Sequence, residues 1–318
     1  MRRILITGSA GFIGTNLVLR LLETPDIYII GVDNLLVSVK PTIRNERYLF
    51  LKCDIVTQCH LLENIDPVDE IYHLASLASP PKYKKWSIET LNVNVIGTRN
   101  MLELAVKWNA RFLLTSTSEV YGDPLQHPQH ESYYGNVNTV GERSCYDESK
   151  RCAETYVYEY RRKYRGDFKI CRIFNTYGPH MDLDDGRIIT HIIQSILYNR
   201  PVTVQGDGTQ TRSFCYIDDM LDGVLSLMKS DEAGPVNLGN PHTEISLNEL
   251  FQLVESMVQL KISKVHVERT ENDPLIRKPD ISAAKEKLGF DPTIDLETGI
   301  HKTLLYFILE NQELVMGT

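Results

Sequence analysis

Two side chains in the middle of the chain carry proton chemistry. Tyr146 and Lys150 lie in the segment Cys145-Tyr146-Asp147-Glu148-Ser149-Lys150-Arg151, which has helical spacing. Residues four apart on a helix share one face. A tyrosine hydroxyl is a poor base at its ordinary pKa of about 10. A nearby ammonium stabilises the phenolate and lowers that value, so that Tyr146 takes a proton from a hydroxyl. The competing reading is an exposed helix pair, and Lys163 and Tyr164 show how common such residues are in this stretch. A second group, Thr117-Ser118-Glu119, follows the apolar run 111–116. It offers hydroxyls and a carboxylate beside the reacting atoms, or simply caps the end of a strand.

A third constellation lies near the start of the chain. Thr7-Gly8-Ser9-Ala10-Gly11-Phe12-Ile13-Gly14 places glycines at G-x-x-G-x-x-G spacing between an apolar strand and an apolar helix. One glycine makes the tight turn, one lets backbone approach a pyrophosphate, and one lets helix pack on strand. The helix N-terminus then presents free N–H groups and partial positive charge to the phosphates. Asp33 stands 19 residues past Gly14 at the end of a second apolar strand. A carboxylate there accepts hydrogen bonds from adenosine ribose hydroxyls and repels a 2′-phosphate, so the expected cofactor is NAD rather than NADP. Asp54, after a third strand, is placed to meet the adenine amino group, although Asp after a strand is also ordinary turn chemistry. The positive nicotinamide of that cofactor adds to Lys150 in favouring the Tyr146 phenolate.

These groups need a scaffold that brings them to one edge. Apolar runs at Ile4–Thr7, Ile27–Asp33, Tyr48–Lys52, Glu70–Leu74, Arg111–Ser116 and Phe168–Ile173 read as buried strands. Helical periodicity follows Gly11, spans roughly Ile88–Trp108, and carries Tyr146–Tyr164. Strands alternating with helices predict an α/β fold, a Rossmann-type doubly wound parallel sheet with helices on both faces. Right-handed crossovers put the strand C-termini on one edge, where ligands bind. Beyond Phe174 the loops lengthen and helices are expected at about Ile188–Tyr198, Asp219–Met228 and from Ser246, where Glu249 completes a capping box. A short strand is expected at Val202–Val204. We expect an NAD-binding domain at 1–174 plus about 214–240. A smaller mixed α/β C-terminal substrate lobe takes about 175–213 and 241–318.

Composition bounds the function. The 318 residues are 42% hydrophobic and 24% charged, with a net charge of −8, which is ordinary for a globular protein. That balance lacks the basic field of a general nucleic-acid binder. Six cysteines form no C-x-x-C pair and nine histidines no ligand spacing, so reduced thiols and no metal are expected. No signal peptide and no membrane span are visible. The expected location is cytoplasmic.

On these residues the chain resembles the extended short-chain dehydrogenase/reductases, and among them the UDP-glucuronate decarboxylases, also called UDP-xylose synthases. The resemblance runs through Tyr72-His73-Leu74-Ala75-Ser76, Ala78-Ser79-Pro80-Pro81 with Tyr83, Ser116 to Pro124, and Gly135-Asn136-Val137-Asn138. It continues through Cys145 to Arg151, Arg172 to Pro179, Asp185-Gly186-Arg187, Gln210-Thr211-Arg212-Ser213-Phe214 and Arg277-Lys278-Pro279-Asp280-Ile281. The related dehydratases carry Asp-Glu after the threonine, whereas this chain has Ser118-Glu119. One departure is Asn92, where many relatives have lysine.

The resemblance implies oxidation at C4 of UDP-glucuronate, loss of carbon dioxide from the resulting β-keto acid, and re-reduction to UDP-xylose. Tyr146 is then the base, Lys150 orients it, and Thr117 holds the hydroxyl. Glu119, Ser118 and Arg277 manage the sugar carboxylate and ring, unless Arg277 is a surface loop charge. NAD is held by Gly8, Gly11, Phe12, Ile13, Gly14, Asp33, Asn34, Asp54, Ile55, Leu74, Ala75 and Ser76, together with Tyr146 and Lys150. The UDP-sugar falls to Pro80, Tyr83, Asn175, Arg187, Gln210, Arg212 and Arg277. For Arg187, ion pairing with Asp184 or Asp185, or a contact with the cofactor, is an equal alternative. A homodimer through a four-helix bundle is implied, in which Leu102, Leu104, Ala105 and Tyr156 serve either the interface or the chain's own core. Rival readings on the same scaffold are release of the UDP-4-keto-pentose and a UDP-sugar 4-epimerase. From another class comes an NAD-sensing binding protein, although such proteins typically lose the Tyr or Lys.

Overall fold

The computed structural model describes residues 1–268 and 275–311. Six strands follow in chain order: β1 (Arg2–Thr7), β2 (Ile27–Asp33), β3 (Tyr48–Lys52), β4 (Glu70–His73), β5 (Arg111–Thr117) and β6 (Phe168–Ile173). With the later strand Val236–Leu238 they make a seven-stranded sheet. Its order is Val236–Leu238, β6, β5, β4, β1, β2, β3, and every pairing is parallel.

The sheet is covered on both faces, which is why its strands read as continuous apolar runs rather than alternating ones. Ile4, Ile6, Tyr72 and Leu113 face one apolar cluster. Leu5, Ile71, Phe112 and Leu114 face the other, with Met101, Leu102 and Val157 from two helices. Each such aliphatic side chain contributes about 1.5–3 kcal/mol by burial.

Strand order reverses beside β1: β2 and β3 lie to one side, β4, β5 and β6 to the other. Loops leaving the C-terminal ends of β1 and β4 therefore part in opposite directions and open a crevice between them.

Residues beyond β6 add helix Ile188–Tyr198, helix Leu247–Val258 and helix Leu296–Glu310. They also form short pairs, Val202–Gln205 with Lys264–Val267 and Thr211–Ser213 with Glu244–Ser246. The cluster behind Ile4 and Ile6 runs unbroken into Phe251, Val254 and Phe307. The capping box is present: Ser246 accepts from Glu249 N–H, and the Glu249 side chain accepts from Ser246 N–H.

Two expectations from periodicity need correction. The stretch 88–108 is interrupted by a π-helical turn, Val93–Gly97, between helices Ser87–Asn92 and Thr98–Trp108. There the Asn94 amide donates to Ser149 Oγ on the neighbouring helix at 2.9 Å. Apolar periodicity cannot register such a side-chain bond. The helices expected from Tyr146 and Asp219 begin two residues earlier, at Ser144 and Ile217, because polar first turns carry little apolar signal.

Candidate active site

The glycine turn is built as its spacing requires. Gly8 adopts φ +70°, and a Cβ there would lie 2.8 Å from Ala75 N on the β4 loop. A Cβ on Gly14 would sit 2.1 Å from the Gly8 carbonyl oxygen. Gly11 differs: its Cβ would meet only Gly8 O, at 3.3 Å. Gly11 is also the N-cap of helix Phe12–Leu22, which has no side-chain cap and no acidic residue in its first turn. The open backbone N–H groups with their partial positive charge suit an anionic pyrophosphate.

Asp33 half-buries its carboxylate at the end of β2. Oδ1 accepts from Leu35 N–H at 2.8 Å and Ser38 Oγ at 2.9 Å, and Oδ2 from Ala10 N–H at 3.2 Å. A carboxylate has about four acceptor sites, so one is left for a ribose hydroxyl. Asn34 donates to Asp54 Oδ2 at 3.2 Å, while Asp54 Oδ1 accepts from Val56 N–H at 2.8 Å. Asp54 thus serves its own turn as well as facing the cleft. These residues fit a bound NAD.

Tyr146 and Lys150 come from helix Ser144–Tyr164 and point back to the end of β5. The Thr117 side chain lies close enough to the Tyr146 hydroxyl to lower its pKa and accepts from Glu119 N–H at 3.3 Å. Thr117 is therefore both a cap and a neighbour of the phenol. Lys150 donates to the Thr115 carbonyl at 2.9 Å, and its Nζ lies 6.0 Å from the Tyr146 ring centre.

Without the dinucleotide, burial governs the electrostatics of this pair. Burial pushes the Tyr146 hydroxyl up to about 12, with Thr117 and Arg187 opposing and the Glu119 and Asp147 charges adding. Burial also lowers Lys150, to about 8. In the chain's own field, desolvation outweighs any help from the ammonium, because Lys150 is spent on a carbonyl rather than on the phenol.

The Glu119 carboxylate is clamped by two guanidiniums. Arg277 places Nη1 on Oε1 and Nη2 on Oε2, the latter at 2.9 Å, and Arg143 Nη2 reaches Oε2. Burial alone would raise the Glu119 pKa, but Arg143 and Arg277 outweigh it and hold the carboxyl far below its usual range. Arg277 is 4% exposed, which disposes of the surface-charge reading. Its fork is engaged by both oxygens of Glu119.

On the sugar side, the Tyr83 ring stacks on Tyr146, and helix Pro80–Lys85 that carries it crosses the cleft. Lys82 from the same helix donates to the Val37 carbonyl at 3.2 Å and to Asp182 Oδ2 at 2.6 Å. Arg187 pairs with Asp185 at 3.0 Å and donates to the Ala78 carbonyl at 3.3 Å. The structural ion pair is thus present, on a side chain that still lines the cleft. Arg212 donates to the Thr211 carbonyl at 2.9 Å, and Gln210 to the Gln205 carbonyl at 2.7 Å.

All of these line one cavity of about 1280 Å³. Into it open the dinucleotide-side residues Phe12, Ile13, Ile55, Leu74, Ala75 and Ser76, and the sugar-side residues Pro80, Asn175, Gln210 and Arg212. Ser118, Glu119, Tyr146, Lys150 and Arg277 lie between. Pockets for one small ligand usually measure roughly 300–1,000 Å³; this one has room for two. Sequence reasoning missed Arg143, which lines the same cavity. Its signal was slight, a lone Arg three residues before Tyr146, and its partner Glu119 lies 24 positions away. Among the described residues no cluster of three or more His, Cys, Asp or Glu side chains is arranged to hold a metal. None of the described helices is long and apolar enough to cross a membrane.

A parallel doubly wound sheet with a dinucleotide turn and a Thr–Tyr–Lys site defines a class of nucleotide-dependent oxidoreductive enzyme. The family described as the NAD dependent epimerase/dehydratase family matches residues 4–239. UDP-glucuronic acid decarboxylase 5 of Arabidopsis thaliana is 50% identical over 302 residues, covering 94% of this chain and 87% of that protein. UDP-glucuronic acid decarboxylase 1 of Danio rerio is 44% identical over 313 residues, covering 97% and 73%. The chain belongs to that NAD-dependent family and, within it, to the UDP-glucuronic acid decarboxylases. Among solved structures, the UDP-glucose 4-epimerase of Thermotoga maritima with UDP-glucose superposes with TM-score 0.89 at 28% identity, covering 97% of this chain and 99% of the other. The UDP-glucuronic acid 4-epimerase of Bacillus cereus, in complex with UDP-glucuronic acid and NAD, gives 0.85 at 27% identity with the same coverage.

Proposed function

We propose that the chain converts UDP-glucuronate to UDP-xylose and carbon dioxide, using NAD as a resident oxidant that is regenerated in each turnover. The observation that carries the reading is that Thr117, at the end of β5, and Tyr146 open into one cavity with the Glu119–Arg277 ion pair. A hydroxyl-reading base then stands beside cationic groups suited to a carboxylated sugar.

Tyr146, as phenolate, takes the proton of the C4 hydroxyl while Thr117 holds that oxygen in line. Bound NAD supplies a reversible acceptor for the C4 hydrogen with its electron pair. The ketone left at C4 is β to the C6 carboxylate. The C5–C6 bond breaks, its electron pair passes into an enolate with oxygen at C4, and carbon dioxide leaves. A proton returns to C5 and leaves the 4-ketone. C4 then regains the hydrogen and electron pair it had given to the bound dinucleotide, Tyr146 returns its proton to O4, and the sugar leaves as the pentose. Ser118 and the Glu119–Arg277 pair orient the ring and its carboxylate.

In this reading the sheet-bearing part, 1–174 with about 214–240, holds the dinucleotide, and the remainder holds the UDP-sugar through Asn175, Arg187, Gln210 and Arg212. The chain works as a cytoplasmic homodimer joined through helices 87–108 and 144–164. Leu102, Leu104 and Ala105 are spent on the chain's own core. The interface therefore falls to outward side chains such as Ile88, Leu91 and Tyr158, all exposed, with the half-buried Tyr156 behind them. Six free thiols fit a reducing compartment. Sedimentation of the purified chain tests the dimer.

The activity is tested by incubating purified chain with UDP-glucuronate and no added reductant. UDP-xylose in the proton spectrum, with stoichiometric carbon dioxide, is expected. A 4-epimer without gas would replace this reading with the epimerase activity of the structural relatives. Accumulation of the 4-keto-pentose would shorten the reaction by its last step.

A further inference from the structure

Gln129 takes no part in the steps above, yet it is only 1% exposed and grips the segment that carries Arg277. Its side-chain Oε1 accepts from Lys278 N–H at 2.9 Å, and its own N–H donates to the Lys278 carbonyl at 2.9 Å. Its carbonyl accepts from Asp280 N–H at 2.8 Å. We propose that the Gln129 side chain is a positioning group for the Arg277 guanidinium, and through it for recognition of the sugar carboxylate. The inference rests on the decarboxylase reading and deepens it.

One peptide unit carries the argument. The Arg277 carbonyl accepts from Ser213 N–H at 3.1 Å. The N–H on the other side of the same planar group, that of Lys278, is the one that Gln129 Oε1 receives. In a trans peptide these two bonds point in opposite directions. The plane is thus held at both ends, by the strand Thr211–Ser213 and by the loop that precedes helix Ser144–Tyr164. A plane that cannot turn fixes the direction in which the Arg277 side chain leaves the backbone. That side chain is 4% exposed and ends on Glu119. A swing at the backbone is therefore carried to a rigid fork whose use depends on its angle to a carboxylate.

The Gln129 amide is itself oriented. Its Nε2 donates to the Gln126 carbonyl at 2.7 Å, which turns Oε1 toward Lys278. Pro279 has no N–H and restricts Lys278 to extended backbone, so the contacts pass from Lys278 to Asp280. Docking of the segment does not depend on this side chain. The two backbone bonds remain whatever residue stands at 129. Asn237 Nδ2 adds two more, to the Gln129 carbonyl at 3.0 Å and the Asp280 carbonyl at 3.1 Å. Replacing the side chain therefore withdraws the grip on one peptide plane and leaves the segment in place. Gln129 lies outside the lining of the cavity, so it acts through Arg277 and is a positioning residue.

The test uses NAD-loaded full-length chain carrying Tyr146→Phe as the parent, so that bound sugar is not consumed. The dissociation constants of UDP-glucuronate and UDP-glucose are measured by calorimetry, and their ratio gives the preference for the carboxylate. Gln129→Met keeps the length of the side chain and removes the acceptor. It is expected to lower the preference at least fivefold, with NAD affinity unchanged within twofold. Gln129→Asn draws the oxygen back by one methylene and is carried in parallel as the milder cut, with a smaller loss in the same direction. Arg277→Gln should lower the preference at least tenfold, and either Gln129 change added to it should lower it by less than twofold more. General loosening of the fold would act with or without Arg277, so this cycle separates it from positioning. An unchanged preference in the Gln129 variants overturns the proposal, as does equal weakening of both sugars. An equal drop with and without Arg277, or an unchanged preference in Arg277→Gln, also overturns it. Carbon dioxide release by the unaltered chain is assayed alongside: its absence defeats the functional reading, whereas its presence with an unchanged preference defeats only this inference.

Discussion

Tyr83 and Tyr146 lie ring on ring, with centroids 5.3 Å apart and planes 8° from parallel. The Tyr146 side chain is thus fixed on one flat side by an aromatic from another element, with Thr117 beside its hydroxyl. An aromatic pair of this kind contributes about 0.5–1.5 kcal/mol beyond area burial. Tyr83→Ala removes the stacking surface and opens a hole under the base. We expect it to cost about 3–5 kcal/mol of stability in urea denaturation and to lower kcat at least tenfold. Tyr83→Phe keeps the ring and discards a hydroxyl that has no hydrogen-bond partner among the described residues. Its unfolding midpoint should match the parent; a drop as large as that of the Ala variant would refute stacking as the reason for Tyr83.

Tyr146→Phe should reduce carbon dioxide release by roughly 10²–10⁴, the usual worth of a positioned acid–base group, while NAD binding measured by fluorescence quenching stays within threefold. Thr117→Val should fall between parent and Tyr146→Phe, because it removes the hydroxyl expected to hold the C4 oxygen and leaves the base in place. Full turnover in Tyr146→Phe would remove this residue from the chemistry.

The three glycines of the turn should separate by phenotype. Gly14→Ala drives a methyl into the Gly8 carbonyl at 2.1 Å and is expected to unfold the turn and lower the melting temperature of the chain. At Gly11 the nearest atom to a Cβ is Gly8 O, at 3.3 Å. Gly11→Ala should therefore melt close to the parent without added NAD, yet bind NAD at least tenfold more weakly, because the methyl occupies the approach of the pyrophosphate. Loss of stability with unchanged affinity would show that Gly11 serves packing alone.

Lys150 makes a prediction about stability against pH. Its ammonium is buried and its pKa is lowered to about 8, against about 10.4 in an unfolded chain. Below pH 8 both states carry the proton and the folded chain bears the whole burial penalty, on the order of 3 kcal/mol. Between about 8 and 10 the folded chain gives up the proton first, the unfolded chain binds more protons, and stability rises with pH. Lys150→Met, inactive by expectation, should be more stable than the parent at pH 7, with an advantage that shrinks as pH rises through that window. Denaturation curves with a pH-independent gap would contradict this account.

The sequence was most informative where chemistry is local. Gly8 to Gly14, Asp33, Thr117 to Glu119, and Tyr146 with Lys150 each sit in short segments whose types and spacing are the signal, and they meet in one cavity. The parallel sheet followed from uninterrupted apolar strands. What stayed hidden depends on contacts between distant segments. Arg277 and Glu119 are 158 positions apart and Arg143 and Glu119 are 24 apart, so the clamp that engages the Arg277 fork left no trace in spacing. Four-residue spacing shows that Lys150 shares the Tyr146 face but not that its ammonium goes to the Thr115 carbonyl. The π-helical turn escaped for a similar reason: its Asn94–Ser149 bond joins two helices 55 positions apart.

Lys82 ties the dinucleotide-side loop at Val37 to the sugar-side loop at Asp182 through one ammonium. Both doorways of the cavity hang on the same latch, so prising either open sacrifices a fastening that the other shares. A displacement of either loop is therefore felt by the other, and the two ends of the cavity answer to one ammonium.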